Sequence, residues 1–151
     1  MGRSNTGQQG ENMRSHAIIA AFALALALPA FAAETPKVTV EPVARINQTV
    51  TGQDIVIPEK PDIVVAIATF PPGARLPEHK HPWPHLAYVL DGVLTVTNTE
   101  TGKTFAVKKG DFTAEMENTW HYGVNNGTVP VRLLVIDEVP RGTKSNMVPR
   151  K

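Results

Sequence analysis

The chain has 151 residues, enough for one hydrophobic core and few for two domains. Its 42% hydrophobic and 19% charged residues are ordinary globular usage, and a net charge of +1 offers no electrostatic footprint for nucleic acid or an anionic membrane. With no cysteine, disulfides, thiolate metal ligands and a cysteine nucleophile are all excluded.

Residues 1–12 are polar and patternless, and Met13 is a candidate start. Arg14 and His16 precede an apolar run from Ala17 to Leu28, which Pro29 breaks before the small-x-small stretch Ala30-Phe31-Ala32. This is the layout of a secretory signal peptide, so residues 1–32 are expected to be a leader. The run falls short of the ~20 apolar residues that a bilayer span requires. A periplasmic or secreted protein is expected, with no membrane association once the leader is gone. Its removal takes away Arg3, Arg14 and Glu11, and turns 15 basic and 14 acidic residues into 13 of each.

Residues 33–60 read as an N-terminal β arm with two weakly alternating pieces, 37–43 and 46–51, and a turn at Gly52-Gln53-Asp54. Pro58 and Pro61 punctuate the entry to the main domain, expected over 61–139. The run from Asp62 to Phe70 is apolar and β-branched, which predicts a strand covered on both faces. Strands follow at 86–90 and 93–98 around an Asp91-Gly92 hairpin turn, then at 104–107, 112–114, 121–124 and 131–136. Residues 140–151 read as a polar C-terminal tail. No stretch after the leader sustains a helical period, and thirteen prolines and eleven glycines suit turns. Many short strands at regular turn spacing predict an all-β sandwich or barrel. Leu86, Tyr88 and Leu90 would face away from the interior yet are apolar, so a cover by the arm or a second subunit is expected, with a homodimer favoured.

Histidine is the informative residue. Three of the five, His79, His81 and His85, fall between Gly73 and Gly92. On a strand His79 and His81 point the same way, and Pro82-Trp83-Pro84 breaks pairing so that His85 can return beside them. His121 is a fourth candidate, within the stretch from Lys109 to Asn125. Converging neutral imidazoles suit one divalent transition metal: Fe, Cu, Ni or Zn.

Together these stretches resemble the paired motifs of the cupin superfamily. The first motif runs from glycine through His-x-His and a position usually Glu to a second glycine. Gly73, His79, His81 and Gly92 match every spacing, with His85 at the Glu position. In the second, Gly110, His121 and Asn125 match, while Met116 and Asn118 stand where Pro and Gly are usual. The resemblance implies a double-stranded β-helix, or jelly-roll barrel, holding a metal. His79, His81 and His121 would be ligands, with His85 either a fourth ligand or a base held back from the ion. It also implies a small organic ligand or substrate, with a dioxygenase-like enzyme as first expectation. A non-redox isomerase or lyase is an alternative, as is a non-catalytic metal- or ligand-binding sensor or carrier. Tyr122 is the candidate proton donor, and Glu78 and Arg75 are candidates to hold a polar substrate group. Trp83, Tyr88, Trp120 and Tyr122 would pack the barrel mouth or form an aromatic wall. Met116 is expected in the core or pocket lining, and Asn125 as the anchor of a turn.

Overall fold

The computed structural model describes residues 35–151. The leader expected over 1–32 lies outside the described residues. Among the described residues there are nine strands: β1 (Pro61–Phe70), β2 (His79–Lys80), β3 (His85–Asp91), β4 (Val93–Asn98), β5 (Thr104–Lys108), β6 (Phe112–Ala114), β7 (His121–Val124), β8 (Val131–Pro140) and β9 (Val148–Pro149). They form two antiparallel sheets, ordered β1-β8-β3-β6 and β5-β4-β7-β2-β9. Alternation along β3, β4 and β8 turns Ala87, Val89, Leu94, Val96, Val131, Leu133 and Val135 inward. Phe70 and Met116 join them in a single core, Met116 with no exposure at all. The fold is all-β, as the strand pattern predicts, and its two sheets form the jelly roll that the resemblance implies.

Two local readings differ from what forms. Asp91-Gly92 does not close a hairpin, because β3 and β4 belong to different sheets. The chain instead crosses between sheets at Gly92 (φ 78°), where a Cβ would stand 2.9 Å from Pro130 O and from Val131 Cγ2. The β1 strand is not covered on both faces: it is the edge strand next to β8, and Ile63, Val64, Val65 and Ile67 are about half exposed. A buried central strand and an uncharged edge strand carry the same apolar run, so composition does not separate them.

The arm forms no strand over 37–51; a bridge joins Gln48 and Asp54. The Thr49–Gln53 turn docks against the far edge of the first sheet, with Val50 N–H donating to Ala114 O at 3.0 Å and Gln53 Nε2 to Glu117 O at 2.9 Å. Asn118, at the motif position usually held by glycine, takes the left-handed φ of 50° that asparagine tolerates. The polar tail folds back: β9 pairs with β2, aligning His79 with Pro149 and Lys80 with Val148.

Candidate metal centre

Strand alternation and pairing bring the histidines together. His79 lies directly opposite His121 across β2 and β7, and His81 follows one pleat later. All three are buried. Each anchors its Nδ1 on a main-chain carbonyl: His79 on Pro77 O (2.8 Å), His121 on Thr119 O (2.8 Å) and His81 on Asn146 O (2.9 Å). A carbonyl only accepts, so Nδ1 carries the proton in each ring and Nε2 presents its lone pair to the interior.

Glu115 completes the group. Ligand atoms of His79, His81, Glu115 and His121 all lie within 4.8 Å of one another. Glu115 Oε2 stands 2.9 Å from His121 Nε2 and 3.4 Å from His81 Nε2. Neither Nε2 has a hydrogen-bond partner, although both are buried. Lone pairs facing a carboxylate oxygen at these distances require a cation between them, either a proton or a metal ion. Three imidazole nitrogens and one carboxylate oxygen are a donor set for a divalent first-row metal, so the residues fit the ion that the histidine spacing implied.

Electrostatics separates the ligands. Burial pushes His79 down to about 4, which keeps its ring neutral. Burial also acts to lower His121, but the Glu115 carboxylate beside it carries it above its ordinary value. Burial acts to raise Glu115, but the imidazoles of His121 and His81 against it hold it well below the usual carboxylate range.

His85 stands beside this group. Its ring stacks parallel on that of His81 with centroids 4.0 Å apart, and its Nδ1 lies 2.6 Å from Asp137 Oδ1. The contact follows from register, since His85 and Asp137 are partners across β3 and β8. His81, His85 and Asp137 form a second cluster that shares His81 with the first. Burial acts to lower His85, but Asp137 raises it above its ordinary value; the same contact holds Asp137 below its own.

The two clusters open into a cavity of about 290 Å³. Its apolar wall includes Phe70, Leu76, Leu94, Leu133 and Val135, and residues 143–147 of the tail border it. Neither Tyr122 nor Glu78 is among its lining residues. Tyr122 alternates with buried His121 and Gly123, so it faces outward, under the Arg75 guanidinium at 3.5 Å. Glu78 accepts from the Thr99 hydroxyl and, at 2.6 Å, from Arg150 Nη1. Trp83, Tyr88 and Trp120 do not line the cavity either, so the apolar part of its wall has Phe70 as its one aromatic ring. Asn125 ties a turn, donating to Phe70 O (2.9 Å) and Val129 O (2.8 Å).

Glu115, Asp137 and Asn146 were not singled out from the sequence. Glu115 had one signal, a carboxylate between Ala114 and Met116 just before His121. Asp137 ends the apolar run of β8, and only strand register reveals its partner. Asn146 gave none.

A family model described as Cupin domain matches residues 66–137. Among solved structures, the chain is similar to a polyketide cyclase from Streptomyces resistomycificus at 25% identity and TM-score 0.49, over 56% of this chain and 58% of the cyclase. It is also similar to an oxalate decarboxylase from Lactobacillus farciminis in complex with formate, at 25% identity and TM-score 0.49, over 58% of this chain and 26% of the decarboxylase. An uncharacterized conserved protein with a double-stranded β-helix domain from Klebsiella pneumoniae matches at 20% identity and TM-score 0.48, over 56% of this chain and 77% of that one. The chain thus spans less than two thirds of the cyclase and about a quarter of the decarboxylase. No curated protein matches it.

Proposed function

Proceeding from a cupin domain at residues 66–137, we propose that this chain is a metal-dependent enzyme acting on a small organic molecule. His79, His81, His121 and Glu115 would hold the ion. The observation that carries this reading is the pair of buried, unpartnered Nε2 atoms facing Glu115. A bound divalent ion would supply Lewis acidity toward a substrate oxygen and, if it is iron or copper, redox chemistry.

The remaining chemistry belongs to the chain. The apolar wall excludes water and receives a carbon skeleton. His85 keeps a proton at Nδ1 against Asp137, which leaves Nε2 able to take a proton from substrate or return it. Asp137 fixes the tautomer and favours the protonated ring. A dioxygenase-like reaction is the first reading. The acid–base pair favours a second, a non-redox isomerase or lyase reaction in which a proton is moved.

The chain is further proposed to be exported and to work as a homodimer. Export rests on the leader pattern of residues 1–32. The dimer rests on β1, an edge strand without a charge from Ile63 to Phe70, whose unguarded backbone suits antiparallel pairing with a second copy.

The deciding experiment is metal analysis of protein purified without added ions, followed by O₂ uptake with a panel of flavonols and diketones. Iron or copper with uptake supports the dioxygenase. Zinc or nickel with proton exchange into substrate supports the isomerase or lyase. A chain that takes up no divalent ion refutes the reading, and one that holds an ion but turns over nothing is a sensor or carrier.

A further inference from the structure

His79 and His121 each find a Nδ1 acceptor two residues back along the chain, whereas His81 takes its acceptor 65 residues away, in the C-terminal segment. That segment is a strap that starts with Gly142 N–H donating to Asp62 Oδ2 (2.8 Å) and is then fastened to the 78–84 region and to Asp137. Beyond β9, its end is held by Arg150 N–H donating to Glu78 O (2.9 Å) and Arg150 Nη1 to Glu78 Oε1 (2.6 Å). Its middle is held by Asn146, which is 6% exposed. The Asn146 side chain donates to Asp137 Oδ1 (2.7 Å) and Trp83 O (3.1 Å), and accepts from Trp83 N–H (3.1 Å). One residue therefore grips the chain between His81 and His85, orients the partner of His85, and lends its carbonyl to His81. The neighbouring Thr143, Ser145 and Met147 border the cavity.

We propose that Asn146 is a positioning residue for the metal centre, and that the strap it anchors is coupled to the ion. Fixing His81 from the strap means that an ion on His81 also fixes the strap, because coupling between two events is reciprocal. Metal binding and closure of this cavity wall become one event. The inference rests on the metal reading given above.

The test uses the full chain stripped of metal, with Co(II) as the probe. Affinity is read by calorimetry, ligand geometry by the visible spectrum of bound Co(II), and strap order by amide exchange at Thr143, Met147 and Arg150. Asn146→Ala is expected to weaken Co(II) binding on the order of 10- to 100-fold and to shift its spectrum, since the carbonyl of residue 146, retained in alanine, loses the side-chain bonds to Trp83 and Asp137 that fix it against His81. In the unmodified chain Co(II) is expected to slow exchange at the three amides. Arg150→Ala, which loosens the strap without touching Asn146, is expected to reduce that slowing. Unchanged affinity and spectrum in Asn146→Ala, or exchange indifferent to Co(II) in the unmodified chain, would overturn the proposal. Should Asn146→Ala fail to fold, the exchange measurements on the unmodified and Arg150→Ala chains decide alone. If His79→Ala binds Co(II) as well as the unmodified chain, the metal reading itself falls; a loss in His79→Ala with none in Asn146→Ala removes only the present inference.

Discussion

His85 and Asp137 meet at 2.6 Å because β3 and β8 hold them in the same register position. Asp137→Asn therefore removes the anion from His85 without moving it. Folded His85 has a raised pKa, so its share of stability is complete below 6.5 and is lost as pH rises through the folded value. Folded Asp137 has a lowered pKa, so its share is present above 3.8 and is lost as pH falls through the folded value. The metal-free variant should be less stable than the unmodified chain by about 2 kcal/mol. The gap should be widest between pH 3.8 and 6.5. Urea melts across pH measure it, and a gap independent of pH would refute the ion pair.

Glu115→Gln keeps the shape of the centre and removes its only anionic ligand. Affinity for a divalent ion should fall by more than about tenfold, with the β fold retained in the far-ultraviolet spectrum. Equilibrium dialysis with Zn(II) reads the result, and an unaltered affinity would exclude Glu115 from the ligand set.

Metal loading should rise with pH, and His121 rather than His79 should set the range. His79, lowered to about 4, is already neutral in mildly acidic solution. His121, raised above 6.5 by Glu115, must release a proton before its Nε2 can bind. Dialysis from pH 6 to 9 should show affinity still climbing above 6.5 in the unmodified chain. In Glu115→Gln the climb should end at lower pH, because the carboxylate no longer favours the proton.

Gly92→Ala and Gly102→Ala separate crowding from backbone strain. Both glycines have positive φ, 78° and 72°, but only Gly92 has neighbours within 4 Å of an added Cβ. Each should lose on the order of 1–3 kcal/mol through the backbone alone. Gly92→Ala should lose more, because the Cβ presses on Pro130 O. Chemical denaturation of the two variants side by side decides it.

The sequence displays what depends on local spacing. The strands from β3 to β8 follow from alternation and turn residues, and His79, His81 and His121 from motif positions. What it does not display is registration between distant segments. Glu115 reaches the centre only because β6 lies next to β3, and Asp137 only through β8 pairing. Tyr122 drew attention by adjacency to His121, yet the pleat that turns His121 inward turns Tyr122 outward. Residues 140–151 look like solvated tail because most are polar, and nothing local announces that Asn146 will be buried 62 residues from Pro84, whose carbonyl it approaches.

Two of the imidazole rings are oriented by carbonyls two residues back in sequence, those of Pro77 and Thr119, which every amino acid supplies alike. Replacement at either site, Thr119→Val for instance, should leave the tautomers undisturbed. Heritable drift around this centre is thus buffered on the His79–His121 side, and its vulnerable point is the far end of the chain, where a frameshift or early stop codon would strike the one orientation that is not locally secured.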